Sequence, residues 1–278
     1  MRGSARSKQD VGPSEVPLPL ITDHFLQRLR LAVPALLVLA LASRPAHSAE
    51  GIFLNWNDCP LGPVANADRG NTCTSDLGTN ELIVSFSLAQ PVDSVFAVEI
   101  TLDIQHAEAT IPAWWHFDTT PCRNGSLKVD SNFSSLSSCV DMWNAEPTSG
   151  GLAQFTVGLP RGQANQVRVK ITLAVPPEQM RTLGTTSTYY AARLVIDDLM
   201  TTGPDACAGC GTPACLVLNA VLIGRPPRPP GAPSANVLLE TPGPGHPNWV
   251  TWQGGAGANC GAVPARSKTW GQIKALYR

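Results

Sequence analysis

Two stretches of the 278-residue sequence, Phe96-Ala-Val-Glu-Ile-Thr-Leu-Asp-Ile104 and Val167-Arg-Val-Lys-Ile-Thr-Leu-Ala-Val175, decide the fold class. In both, apolar residues alternate with polar ones, and on an extended strand this places successive side chains on opposite faces. The stretch 82–88 alternates in the same way, with Ser85 and Ser87 facing away from the apolar residues. Strands with one apolar and one polar face are typical of antiparallel sheets that pack on one side only.

Further strands are predicted where short apolar runs lie between turn residues, at 51–56, 111–117, 152–157, 189–199, 214–223, 236–240 and 248–252. Glycine and proline, 24 and 25 residues, supply the turns, and no long segment has the 3.6-residue period of a crossover helix. The sequence therefore predicts an all-β protein, an antiparallel β-sandwich of immunoglobulin-like or jelly-roll type.

An apolar run at 31–42 follows Arg28 and Arg30 and precedes the small-residue stretch 45–49, which is the layout of a secretory signal peptide. We expect a mature chain from Glu50, located in the periplasm, at the cell surface or in the medium. The run is shorter than the roughly 20 residues that span a bilayer, so no membrane span is expected in the mature chain.

Four segments are expected along the chain: an N-terminal extension and signal peptide (1–49), a β-sandwich (50–223), a proline-rich linker or loop (224–235), and C-terminal strands with a helix packed on the main domain (236–278). The helix is predicted over 269–278, where Thr269 and Gln272 fit a capping box.

An exported chain meets oxidants, so we expect all eight cysteines to form disulfides; they are Cys59, Cys73, Cys122, Cys139, Cys207, Cys210, Cys215 and Cys260. The preferred pairs are Cys59 with Cys73 and Cys122 with Cys139, because short loops close easily, then Cys207 with Cys215 and Cys210 with Cys260. Two alternatives remain: zinc bound by the last four cysteines, and a redox-active pair at 207 and 210.

The net charge excludes nucleic acid as a partner. Six of the 20 basic and three of the 21 acidic residues lie in 1–49, which leaves 14 basic and 18 acidic residues and a formal charge of −4. Such a chain does not attract a polyanion.

The candidate ligand-binding residues are Trp114, Trp115, His116 and Asp118. Neighbouring side chains on a strand point to opposite faces, so one indole is expected to face a surface or groove, where it can stack on a sugar ring or a partner. The competing interpretation is that both rings seal the sandwich. Trp249 and Trp252 allow the same two interpretations.

Catalytic motifs are not found. The mature histidines, His106, His116 and His246, lie in unrelated segments, and Asp197 and Asp198 are adjacent, so on a strand they face opposite ways. No cofactor is predicted except a structural Ca²⁺, for which a turn-rich stretch offers oxygen ligands at Asp68, Asn71, Asp76, Asn80 and Glu81. Solvated turn residues are the alternative.

Four segments resemble a group of uncharacterised exported bacterial proteins: Asn55-Trp-Asn-Asp-Cys59, the cysteines from 207 to 215, Val250-Thr-Trp-Gln-Gly254 and Trp270-Gly-Gln-Ile-Lys274. The resemblance covers most of the mature chain and implies a leader and a β-rich secreted domain, with no known activity or catalytic residues. Residues 92–104 also resemble the opening strands of cohesin-like sandwiches, which are binding modules.

These observations predict a secreted, non-catalytic binding or adhesion module that contacts carbohydrate or another cell-surface partner through exposed tryptophans. Two alternatives stay open. The first is a structural component of an envelope or appendage, which engages partners by strand addition or through its C-terminal helix. The second is a secreted hydrolase whose site is built from loops.

Overall fold

The computed structural model describes residues 49–118, 122–227 and 235–262. Three predicted features, the signal peptide, the greater part of the proline-rich stretch and the helix over 269–278, lie outside the described residues.

Strands dominate the described chain. They are β1 Gly51–Trp56, β2 Asp68–Arg69, β3 Thr79–Ser87, β4 Val92–Val95, β5 Ala97–His106, β6 Leu127–Asp130, β7 Val140–Asp141, β8 Ser149–Gly158, β9 Gln163–Ala174, β10 Arg181–Leu183, β11 Thr188–Asp197, β12 Ala214–Gly224, β13 Val237–Leu239 and β14 Trp249–Trp252. Short 3₁₀ turns lie at Ala113–Trp115, Pro177–Gln179, Gln253–Gly255 and Cys260–Ala262. Across these ranges, no helix is long and apolar enough to cross a bilayer.

Two sheets form the predicted antiparallel β-sandwich, which is confirmed. Sheet I has the order β1-β3-β11-β6, and β7 also pairs with β11. Sheet II has the order β2-β14-β12-β5-β9-β8, and β13 also pairs with β12; β4 and β10 form a separate two-stranded sheet. The pairings are antiparallel except β7 with β11 and β2 with β14. The chain crosses between the two sheets several times, so most contacts join residues far apart in sequence.

The core lies between the inner faces of the two sheets and follows the period-two pattern. In sheet II the buried apolar residues of β5 are Val98, Ile100, Leu102 and Ile104, and those of β9 are Val167, Val169, Ile171 and Leu173. In sheet I, Leu82, Val84 and Phe86 of β3 are buried opposite them. The alternation therefore predicts the inward faces of all three strands correctly.

The outer face of sheet I is covered, although the sequence pattern predicts a wet face there. Ser85 and Ser87 are buried, because a polar turn-rich segment after β6 packs over β11 and residues 243–246 pack over β1. From the segment after β6, Phe133 stacks on Tyr190 of β11 with ring centroids 4.9 Å apart, and Trp143 Nε1 donates to the Ala191 carbonyl over 2.9 Å. Sheet I is thus packed on both sides, whereas the outer face of sheet II is covered in part, where Ala258 and Cys260 pack on Cys215 and Val217.

Asp58 holds this outer layer on sheet I through a buried hydrogen-bond network. Its Oδ1 accepts from the Tyr190 hydroxyl over 2.6 Å and from the Cys59 N–H over 2.7 Å, and its Oδ2 accepts from Ser138 Oγ over 2.7 Å. The Tyr190 hydroxyl in turn accepts the N–H groups of Ser138 and Cys139, each over 3.1 Å. Every polar atom of the pair therefore has a partner, as burial requires.

All eight cysteines are in disulfides, as predicted, but all four predicted pairs are wrong. The observed pairs are Cys59–Cys139, Cys73–Cys210, Cys122–Cys207 and Cys215–Cys260, and no described cysteine is free. The zinc set and the redox pair are excluded by the same pairing. Short-loop closure was the wrong criterion, because the fold brings together cysteines from segments 45 to 137 residues apart. Four disulfides indicate an oxidising, extracytoplasmic environment.

We expect Tyr190→Phe to lower the free energy of unfolding by about 2–3 kcal/mol, because it removes a donor from a buried carboxylate and an acceptor from two N–H groups. Urea unfolding with the disulfides intact measures the loss. Tyr189→Phe is the matched control, because its hydroxyl bonds only the neutral backbone of Gly184, and it should cost less. Equal losses in the two variants would contradict the role given to Asp58.

Candidate functional site

Trp114 and Trp115 lie in the 3₁₀ turn Ala113–Trp115, not in the strand predicted over 111–117, and both indole rings are fully buried. The prediction that one ring faces a surface or groove is therefore wrong. It assumed an extended backbone, on which neighbours diverge. On a 3₁₀ turn of three residues, successive side chains are only about 120° apart, so both rings can enter the core.

The two rings belong to a cluster of packed aromatic side chains. Trp114 stacks on Trp252 with centroids 5.2 Å apart, and Trp115 meets the edges of both, at 5.2 and 5.5 Å. The Arg123 guanidinium lies 3.9 Å from the Trp114 ring centroid and donates to the Asp197 carbonyl over 2.6 Å. Neither indole can stack on a ligand without unpacking the core.

His116 and Asp118, the polar members of the predicted site, are partly exposed. The His116 Nδ1 and the Asp118 Oδ1 are 3.5 Å apart. With both tryptophans turned inward, the structure does not bring these four residues together as an aromatic surface with polar neighbours.

His106, at the end of β5, is fully buried against the Trp115 ring, with centroids 4.9 Å apart. Neither ring nitrogen has a hydrogen-bond partner among the described residues. Burial, with a smaller contribution from the charge of His116, lowers the pKa of His106 to about 3. The imidazole is therefore neutral near pH 7 and packs as a core side chain.

The residues considered for Ca²⁺ do not converge on one point. Their polar atoms bind other parts of the chain: Asp68 accepts from Thr251, Asn71 and Asn80 donate to Asp198, Asp76 accepts from Thr201 and Thr202, and Glu81 faces Arg193. Within the three described ranges, no group of three or more His, Cys, Asp or Glu side chains could hold a metal ion.

A cleft of about 710 Å³ lies in the segment that covers sheet I, lined by residues 129–134, 141 and 145–148. Its lining carries three carboxylates and no Lys or Arg. Each carboxylate accepts a hydrogen bond from within the chain: Asp130 from Arg193 Nη2, Asp141 from the N–H groups of Trp143 and Ala145, and Glu146 from Gln179 Nε2. Sequence reasoning missed this cleft, because the segment shows only turn-forming residues.

The outer face of sheet II carries a row of side chains that crosses five strands, and two members of the row, Val217 and Asp103, are buried, Val217 beneath Ala258 and Cys260. Strand register places Trp249 beside Val217, Val217 beside Asp103, Asp103 beside Arg168, and Arg168 beside Thr156. We call this row, with its neighbours, the polar face; its members are Glu99, Asp103, Thr156, Arg168, Lys170, Asn219 and Trp249. The indole of Trp249 is 37% exposed, whereas Trp252 on the opposite face of the same strand is buried.

Charges on the polar face are paired with one another. Arg168 donates to both oxygens of Asp103, each bond 2.7 Å long, and Asn219 Nδ2 donates to Oδ2 over 2.5 Å. Burial raises the pKa of Asp103, and the Arg168 hydrogen bonds offset part of that rise; the same bonds raise the pKa of Arg168. Lys170 pairs with Glu99 over 2.6 Å. Equal numbers of cations and anions thus leave the face neutral.

The spacing of two tryptophans in β14 carries the signal for this face. Trp249 and Trp252 are three residues apart, and an odd separation on a strand sends two side chains to opposite faces. One of the two rings therefore had to point outward.

Comparison with known proteins gives no family for this chain: no family model and no curated protein matches it. Among solved structures it is similar to a cohesin module from a Clostridium perfringens family 33 glycoside hydrolase. The two are 8% identical over 70% of this chain and 98% of that chain, with a TM-score of 0.27. A likeness at this TM-score carries no argument about fold or function.

The free energy of unfolding should fall as the pH drops from about 6.5 toward 3, by up to about 1.4 kcal/mol per pH unit from His106. The unfolded histidine binds a proton below its ordinary pKa, whereas the folded one stays neutral until about pH 3. Urea unfolding at pH 7, 6, 5 and 4 should show a shallower acid slope in His106→Phe and an unchanged slope in His246→Phe. An unchanged slope in His106→Phe would contradict this account.

Arg168→Leu should lower the free energy of unfolding by about 3–5 kcal/mol, because it leaves the buried Asp103 carboxylate without its cation. The double variant Asp103→Leu/Arg168→Leu removes both charges and should regain most of that loss. Chemical denaturation of the two single variants and the double variant measures the coupling. Additive losses would show that the two side chains do not act as a pair.

Proposed function

We propose that this chain is a non-catalytic binding module that acts outside the cytoplasm and binds neutral carbohydrate on the polar face of sheet II. The observation that carries the proposal is the exposed side chain of Trp249 on the same face of sheet II as the partly exposed polar side chains of Glu99, Arg168 and Lys170. As in the sequence-based prediction, a tryptophan ring stacks on the ligand, but the proposed residue is Trp249 instead of Trp114 or Trp115.

An exposed indole on a rigid strand suits a sugar ring. Its flat apolar face can cover the C–H face of a pyranose, at little entropic cost because the ring has few rotatable bonds. The backbone beside Trp249 is fixed, since Asn248 Nδ2 donates to the Leu218 carbonyl over 2.7 Å and β14 pairs with β12. The backbone that carries the ring is therefore in place before a ligand arrives, which lowers the cost of binding.

The neighbouring groups supply directional contacts and no net charge. Sugar hydroxyls both donate and accept, so a surface with guanidinium, carboxylate, amide and hydroxyl groups can bind them in pairs. Because Arg168 and Lys170 are balanced by Asp103 and Glu99, the face favours a neutral ligand over an acidic or a basic one.

The absence of catalysis is part of the proposal and is supported by the cleft near β6. Hydrolysis of a glycosidic bond needs two carboxyl groups available for proton transfer or nucleophilic attack. There, Asp141 accepts two backbone N–H bonds with its two oxygens, and Asp130 and Glu146 are held by Arg193 and Gln179. These carboxylates have structural partners in place of a substrate.

A glycan array of neutral and acidic oligosaccharides, probed with the disulfide-bonded chain, tests the proposal. Binding confined to neutral glycans, without release of new reducing ends on long incubation, is the expected result. Cleavage of any bound glycan would show that the chain is a hydrolase and not a binding module. A lack of binding to every glycan at high protein concentration would contradict the proposal that the ligand is a carbohydrate.

Trp249→Ala should weaken binding of a glycan that the array identifies by at least tenfold, because the stacking surface is lost. Isothermal titration calorimetry measures the change. Leu238→Ala is the matched control, because Leu238 is exposed on the same side of the neighbouring β13 but offers no ring, and its affinity should stay within twofold. Equal losses in both variants would place the glycan elsewhere.

A further inference from the structure

Strand β8, at one edge of sheet II, has an unpaired outer side. It runs for ten residues, Ser149–Gly158, and pairs with β9 alone. Within the described ranges, residues 149–157 make no other backbone hydrogen bond. A long row of unpaired N–H and C=O groups is a template for another strand.

Two of the usual protections of an edge strand, charged residues and proline, are absent from β8. Its sequence, SGGLAQFTVG, has no charged residue and no proline. Val157 is 42% exposed, and Leu152 and Phe155 are partly exposed, although all three point toward the core side. By contrast, the opposite edge strand β2 has only two residues, and β1 is covered by backbone contacts to Thr241 and Asn66.

Opposite charges lie at the two ends of β8. The acidic cleft adjoins its beginning, since Glu146 lies three residues before Ser149. Arg161 lies three residues beyond Gly158, is exposed, and makes no ion pair within the described parts of the chain. An antiparallel partner strand of the same sequence would therefore bring its Arg161 to this cleft.

We propose that two copies of this chain pair through β8, antiparallel and about a two-fold axis, so that the two sheets II become continuous. The pairing is self-complementary, as a two-fold interface requires. If Ser149 of one copy lies opposite Gly158 of the other, the hairpin turn that carries Arg161 lies beside the acidic cleft that contains Glu146, and the same contact occurs twice. No like charges meet along the strand, because β8 has none.

The bulge in β8 makes this full-length register compatible with the two faces of the sheet. Leu152 pairs with Ile171 and Gln154 with Lys170, so Ala153 is an extra residue that shifts the alternation by one. In the proposed register Leu152 then meets Phe155 of the second copy, and both side chains lie on the core side. Gly151 meets Thr156 on the outer side. The partly exposed apolar edge is covered, which favours association.

Sedimentation equilibrium of the disulfide-bonded chain tests the proposal, and it is independent of glycan binding. The expected result is a dimer whose dissociation constant rises at least tenfold in Arg161→Glu and returns toward the original value in Glu146→Arg/Arg161→Glu. Val157→Lys, which places a charge on the edge, should give monomers. Val64→Lys, the same change at an exposed loop position, should leave the dimer intact.

The pairing would be overturned by a chain that stays monomeric at 100 μM or above, by a dimer that Val157→Lys does not weaken, or by a charge swap that does not restore the dimer. It would also be overturned by a monomer whose β8 amides are protected from hydrogen exchange only when a Thr/Val-rich peptide is added. The last result would assign the edge to a foreign strand. Glycan binding measured on Val157→Lys reports separately on the polar face, because Val157 is not part of that face.

Discussion

The register of β5 between β9 and β12 is the constraint on which this structure depends. The strand is hydrogen-bonded on both sides over nearly its whole length, so its side chains alternate strictly between two environments. Val98, Ile100, Leu102 and Ile104 fill the core from one face of β5. On the other face, Asp103 contacts Arg168 and Asn219. A slip of one residue would put the Asp103 carboxylate in the core and Leu102 in its place, and both changes are costly. The core and the polar face are therefore fixed by one pairing.

Sheet I is stabilised differently, by a layer with little regular structure. The segment after β6 is held by the Asp58 network, by the stacking of Phe133 on Tyr190 and by the disulfide Cys59–Cys139. Each observed disulfide joins residues 45 to 137 positions apart. In the chain-entropy account a crosslink over about 100 residues removes more unfolded-state freedom than one over 15, about 4.7 against about 3 kcal/mol. Long-range pairing thus suits a fold in which distant segments of the chain meet in the same layer.

The sequence pattern predicts what depends on local alternation and fails where distant segments meet. The inward faces of β3, β5 and β9 follow from period two, because each residue's side is decided by its neighbours. Ser85 is buried by a segment some 50 residues later, which no alternation within β3 can reveal. The directions of the Trp114 and Trp115 rings depend on whether the backbone there is extended or forms a turn. The sequence after Pro112 does not decide between these two conformations. The polar face could be foreseen in part, from the odd spacing of Trp249 and Trp252, whereas the partners of Asp103 required the strand order.

The two proposed surfaces share β8, and this has a consequence for the ligand. Thr156 ends the row that begins at Trp249. Neighbouring strands are about 4.8 Å apart, so the row spans about 19 Å in one copy, and the two Trp249 rings of a β8-linked pair would stand about 43 Å apart along one continuous sheet. A short oligosaccharide would reach one indole, while an extended polymer could reach both. Linked sites raise the effective concentration for the second contact, so polymer affinity would exceed that for fragments without any new contact. An edge strand without charge or proline would then serve binding by doubling the length of the surface.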